Sequence, residues 1–122
     1  MRDGLRAVKN AVEDCAVVPG AGAFEIAVAM HLRENTCKSL KGRARIGVTA
    51  YAEALMIVPK TLAENSGFDV QECIMKLIEE REDTGMAVGL DCNSGEAMIP
   101  ADEGIWDNRE KPIQNPLLTI IL

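Results

Sequence analysis

The feature that most constrains this chain is a change of hydrophobic period. Up to Ile78 apolar residues recur at steps of three and four; after Gly85 they alternate. The first spacing lays side chains along one stripe of a helix, and the second along one face of a strand. Leu5, Val8, Val12 and Cys15 share a helical face, and that helix should stop at Val17-Val18-Pro19-Gly20-Ala21-Gly22, a short apolar run broken by proline and a small-residue loop. A second helix is expected from about Ala23 to Glu34, with Phe24 or Ala23, Ala27, Met30 and His31 on one face, followed by a polar connection over 35–41. The longest stripe is Val48, Tyr51, Leu55, Val58 and Leu62, thickened by alanines, so it needs burial on more than one side. Pro59 lies inside it and should kink it or remove a backbone bond. Asn65-Ser66-Gly67 closes that helix. Asp69 then makes an N-cap, with Glu72 completing a capping-box variant. Val70, Cys73, Ile74, Leu77 and Ile78 line the fourth helix, which ends in the charged run 79–83 and Gly85. Met86, Val88 and Leu90 alternate, 91–95 supplies turn chemistry, and 96–99 alternates again, which predicts a β-hairpin. Residues 101–108 read as a polar loop. The expected fold is mainly α, a helical bundle with one small β-hairpin.

A chain of 122 residues supports one core, and with only Phe24, Tyr51, Phe68 and Trp106 aromatic, aliphatic residues and the six methionines must fill it. The net charge of −6 opposes approach to phosphate backbones or anionic lipid, so nucleic acid and membrane surfaces are poor partners. Met1-Arg2-Asp3-Gly4 leads into a mixed polar helix rather than the apolar core of a secretory signal, and no wholly apolar stretch is long enough to span a bilayer. Cys15, Cys37, Cys73 and Cys92 form no C-x-x-C pair. With no signal peptide, their spacing predicts reduced thiols and a cytoplasmic location. His31 is the only histidine, which leaves a His-based metal site or a Ser-His-Asp triad unsupported, and no metal site is expected.

The stretch most suited to a ligand is Pro19-Gly20-Ala21-Gly22-Ala23. Small residues before a helix N-terminus let a ligand approach the backbone, where exposed amides favour acceptors. A tight interhelix turn is the plainer reading, since neither a dinucleotide-binding nor a P-loop glycine pattern is present. Asp3 near a helix start serves the helix dipole as readily as any chemistry. Asp107, beside Trp106, could cap the next segment or accept from a ligand hydroxyl. The 79–83 run reads as a solvated face.

Read together, these stretches resemble the TCP-1, or group II, chaperonin family. The resemblance begins with Asp3-Gly4-Leu5-Arg6-Ala7-Val8-Lys9-Asn10-Ala11 and Val17-Val18-Pro19-Gly20-Ala21-Gly22-Ala23. It continues in order through Gly42-Arg43-Ala44, Gly47 to Leu55, Pro59-Lys60 and Leu62 to Asp69, then Gly89-Leu90-Asp91, Asn93 to Glu96 and Gly104 to Asn108. Most sister subunits resemble Gly-Gly-Gly-Ala at the loop, so Ala21 points to the zeta branch. The resemblance implies an ATP-dependent chaperonin subunit that assists folding of cytosolic proteins, with residues 1–108 forming the C-terminal part of its equatorial domain. Asp3 is implied as the catalytic carboxylate that orients and deprotonates the attacking water. Gly20, Ala21 and Gly22 would offer backbone to the ribose and adenine, small because a side chain would fill the pocket. Asp107 would accept from the ribose hydroxyls, and Leu90, Asp91, Cys92 and Ile105 would wall the adenine of ATP or ADP. Implied partners are other chaperonin subunits in a double ring, and unfolded proteins held by an apical domain not found in this sequence.

Two departures matter. The family's Gly-Asp-Gly-Thr-Thr loop for phosphate and magnesium is absent from this sequence, so hydrolysis by this chain alone is not expected. After Asn108 the resemblance lapses: 109–122 is a divergent or truncated tail in which Pro112 and Pro116 disfavour the family's long helix. The alternative reading is a subunit-interaction module without ATPase activity, prone to self-association through apolar area meant for another partner. An unrelated helical domain that binds a small molecule is a third.

Overall fold

The computed structural model describes residues 2–108, so the 109–122 tail lies outside them. Helix α1 spans Arg2–Asp14. It is amphipathic as its spacing predicts, but it ends before Cys15, which takes a left-handed conformation (φ 49°). Half-buried Ala7 and Ala11 face the body of the molecule, where α1 leans on strand β4 (Trp106–Asn108). The predicted apolar face points the other way: Leu5, Val8 and Val12 are 72%, 63% and 70% exposed.

Helix α2, Ala23–His31, runs on through a π-helical turn, Leu32–Thr36, and a last short helix α3, Cys37–Ser39. The polar connection expected over 35–41 is therefore largely helical. The buried face of α2 is Ala23, Ile26 and Ala29 rather than the face through Ala27 and His31; His31 is exposed, with Nδ1 3.1 Å from Asn35 Nδ2.

The longest stripe becomes two helices, α4 (Arg43–Leu55) and α5 (Ile57–Asn65), jointed at Met56. The expected distortion falls just before Pro59, which occupies the first turn of α5, where a missing N–H breaks no helical bond. By length and composition alone the 23-residue run Arg43–Asn65 could cross a membrane. Here Ala52, Leu55, Met56, Pro59 and Ala63 are buried within the fold. Helix α6, Val70–Thr84, starts where predicted: Asp69 Oδ1 accepts from Gln71 N and Glu72 N, both at 2.9 Å. Glu72 turns to Lys76 at 3.1 Å, and Gly85 (φ 67°) closes the helix by donating to Arg81 O at 2.8 Å.

The predicted hairpin pairs β2 (Gly89–Leu90) with β3 (Ala97–Met98), Leu90 opposite Ala97. A second two-stranded antiparallel sheet joins β1 (Val17–Pro19) to β4, with Val18 opposite Asp107. The stretch expected as a polar loop over 101–108 therefore ends as a strand paired with the beginning of the chain. The core gathers Ile26, Ala29, Ala52, Leu55, Met56, Ala63, Cys73, Ile74, Leu77, Val88 and Leu90, with Tyr51 and Phe68 at its margin. Met56 fills the core as expected of a methionine, whereas Met75 and Met86 are exposed. All four cysteines are free thiols, Cys37 and Cys73 buried, Cys15 and Cys92 exposed.

Candidate functional site

The β1–β4 pairing brings the last described residues against the loop 20–22, and a cavity of about 440 Å³ opens there. Three separate stretches supply its wall: Gly20, Ala21 and Gly22 from the loop, Leu90, Asp91 and Cys92 from the end of β2, and Ile105 and Asp107 around the start of β4. These are the eight residues that sequence singled out for ligand binding. Asp3 is not part of the lining; it lies exposed in the first turn of α1.

The loop owes its shape to backbone bonds. Gly20 N donates to Ile105 O at 3.1 Å, Leu90 N donates to Ala21 O at 3.0 Å, and Ala23 N donates to Gly20 O at 3.0 Å. Ala21 and Gly22 both take positive φ, 56° and 77°, the turn that launches α2. An alanine there carries a steric penalty that glycine escapes. Protein neighbours by themselves also limit the size of this loop. A Cβ on Gly20 would meet Ile105 Cγ2 at 3.2 Å, and one on Gly22 would meet Pro59 Cβ at 3.2 Å. These glycines admit protein neighbours before they admit any ligand. Gly89 is tighter still, since a Cβ there would sit 2.8 Å from both the Cβ and the carbonyl oxygen of Ala21.

Phe24, Val58, Leu62 and Met98 complete an apolar wall, which suits a flat ring system. The polar groups are unequal. Asp91 serves its own turn: Oδ1 accepts from Asn93 N at 2.9 Å and Oδ2 from Ser94 Oγ at 2.7 Å, and these bonds hold its pKa below the usual carboxylate value. Its carboxylate is committed to the loop even though the residue lines the cavity. Asp107 lies in β4, where its Oδ1 accepts from Asn108 N at 2.7 Å.

Glu25 is the lining residue that sequence reasoning passed over. It stands in the first turn of α2, half-buried, and burial raises its pKa; a bond to its own backbone amide works against that rise, and the nearby Asp107 adds to it. Its signal in the sequence, an acid at a helix start, is that of any dipole partner. Among the described residues no group of three or more His, Cys, Asp or Glu is placed to hold a metal ion.

The model of the TCP-1/cpn60 chaperonin family matches residues 1–114. The chain is 54% identical over 108 residues to human T-complex protein 1 subunit zeta-2 and 52% identical over 108 residues to the mouse protein of that name. Each match covers 88% of this chain and 20% of the relative. The fold is similar to that of an open-state monomer of a group II chaperonin from Methanococcoides burtonii, with a TM-score of 0.81 at 29% identity, covering 97% of this chain and 29% of that one. Motif order, fold and family model agree, and the chain belongs to the TCP-1/cpn60 chaperonin family.

Proposed function

We propose that this chain supplies the adenosine side of the ATP site of a cytoplasmic chaperonin subunit, within the C-terminal part of the equatorial domain. The observation that carries this reading is convergence: eight residues picked from three distant stretches line one cavity. Its volume of about 440 Å³ falls within the ~300–1,000 Å³ usual for small-molecule sites. The apolar wall takes the base, the backbone of Gly20–Gly22 approaches the ribose, and the Asp107 carboxylate accepts from ribose hydroxyls. Asp3, which does not line the cavity, is assigned to orienting water at the γ-phosphate. ATP, when bound with magnesium, supplies the transferable phosphoryl group. The Gly-Asp-Gly-Thr-Thr loop that serves that end in the family is not in this sequence, so this chain alone should bind nucleoside weakly and turn over no ATP. In the assembled chaperonin the subunit would act in a double ring on unfolded proteins.

Trp106 provides a direct test, being 50% exposed and the neighbour of two lining residues. Adenosine titrated against its emission should saturate, and Asp107→Asn should weaken binding roughly tenfold, the value of a hydrogen bond to a charged group. Absence of saturation in wild type, or an unchanged affinity in the variant, would refute the assignment. Robust Mg-ATPase activity of this chain would refute the division of labour.

A second reading is favoured by α1. Its exposed Leu5, Val8 and Val12 give the chain an apolar stripe fit for a protein neighbour, so it also serves as a subunit-interaction module.

A further inference from the structure

Charge is distributed unevenly over this acidic chain, and the corner between α3 and α4 runs against the average. Arg33, Lys38, Lys41, Arg43 and Arg45 are all exposed there, and Glu34 is the only acid over 33–52, although the chain as a whole carries −6. None of these residues lines the cavity beside the 20–22 loop. Ser39 stands in the middle of the cations. It is exposed, it ends the one-turn helix α3, and its hydroxyl donates to Thr36 O at 2.9 Å within that turn. The backbone leaves the helix directly after it: Leu40 is extended (φ −99°, ψ 147°), and Gly42 takes φ 70° before α4 begins at Arg43. A single helical turn beside such a break opens at little cost, which lets the serine enter an enzyme groove in extended form.

We propose that Ser39 is a phosphorylation site, modified by a protein kinase whose substrate groove is acidic. Ser39 Oγ attacks the γ-phosphorus of the ATP bound to the kinase, and the bond from that phosphorus to the β–γ bridging oxygen breaks. ADP leaves with the electron pair, and the hydroxyl proton passes to the kinase's carboxylate base. Lys38 just before the serine and Lys41 two positions beyond it steer the segment into a groove of opposite charge. The phosphoserine, with a charge of about −1.5 to −2 and three acceptor oxygens, acts in opposite senses on the two helices it separates. Behind it are the C-terminal carbonyls of the helical run that ends at Ser39, whose partial negative charge it repels. Ahead are Lys41, Arg43 and the first amides of α4, whose N-cap Gly42 supplies no side-chain acceptor. Phosphorylation therefore loosens α3 and strengthens the start of α4. Buried Cys37, with Sγ 3.6 Å from Thr49 Oγ1, lies at the joint that feels both effects.

The test incubates the whole chain with magnesium, ATP and a kinase of acidic groove, in parallel with a kinase of basic groove, and maps the phosphate by peptide mass spectrometry. Ser39 should be the principal acceptor for the first enzyme. Ser39→Thr should retain the modification and Ser39→Ala lose it, while Lys38→Glu with Lys41→Glu should slow it by about tenfold or more. All three side chains are exposed, so these variants leave the core intact. The chain recovered from animal cells under phosphatase inhibition should carry phosphate on the same residue. In hydrogen exchange, phosphorylation should slow the first amides of α4 by about twofold to fivefold and speed those of 37–39, both differences shrinking at high salt. Phosphate placed chiefly elsewhere, equal modification by the two kinases, a charge-reversed chain modified as fast as wild type, or no phosphate on Ser39 in cells would overturn the site. Exchange that is unchanged on both sides of Ser39 would overturn its opposing action on α3 and α4.

Discussion

Glu25 gives the fold a pH signature in stability. Its pKa is raised in the folded state, chiefly by burial, so the folded chain holds that proton more tightly than the unfolded chain does. The stabilisation is complete below the unfolded carboxylate value of about 4.3 and is lost as pH rises through the raised folded value. Glu25→Gln removes the penalty of an ionised, desolvated carboxylate. The variant should melt higher than wild type at neutral pH, and the difference should shrink as pH falls towards about 4 in thermal scans. Identical Tm differences at both ends of that range would remove Glu25 from this role. Ala21 offers a second test, since its φ of 56° strains an alanine. Left-handed backbone costs a non-glycine residue ~1–2 kcal/mol, and the extra freedom of glycine in the unfolded chain returns ~0.4–1 kcal/mol of that. Ala21→Gly should therefore stabilise by up to about 1 kcal/mol in urea denaturation. At this scale, the eight wall residues were readable because they sit in ordered family motifs. Glu25 was not, because its character comes from burial beside a cavity that the distant Asp107 also lines.

The helices differ in how plainly their ends are written. Those of α6 are explicit: Asp69 satisfies two amides, and Gly85 adopts the left-handed turn. Asp69→Ala should cost about 1 kcal/mol by chemical denaturation, the usual value of a lost N-cap. A loss near zero would mean that solvent caps this helix equally well. Lys76 bridges Glu72 at 3.1 Å and Glu96 at 3.0 Å, tying α6 to the hairpin, but the exposure of all three groups keeps that tie weak. The α4–α5 joint was legible from Pro59, although the chain bends three residues earlier so that proline can sit in a first turn. The π-helical turn over Leu32–Thr36 and the β1–β4 pairing were not legible. Helix was expected as far as Glu34, but polar Asn35 and Thr36 carry no apolar period to reveal its continuation or its π-helical turn, and a three-residue strand is too short to show alternation. Their pairing depends on tertiary closure, which no local window contains.

At the scale of the molecule, α1 is the element whose sequence and surroundings disagree. Its period announces a helix meant to bury one face, and the structure has the helix with that face in solvent, while smaller Ala7 and Ala11 lean on the body. The chain spans 20% of the length of its zeta-2 relatives, and nothing among the described residues covers the stripe. For this chain on its own, a second copy can offer the same kind of face. Removing a valine- or leucine-sized side chain from water is worth ~1.5–3 kcal/mol, so pairing Leu5, Val8 and Val12 across two helices is enough to drive weak association. Light scattering of the chain should show a mass that rises with concentration. The paired substitution Leu5→Glu and Val12→Glu should return it to a monomer without lowering its Tm, because neither side chain supports the core. A wild-type chain that stays monomeric at every concentration, or a double variant that associates as strongly as wild type, would show that the apolar stripe of α1 draws no second copy.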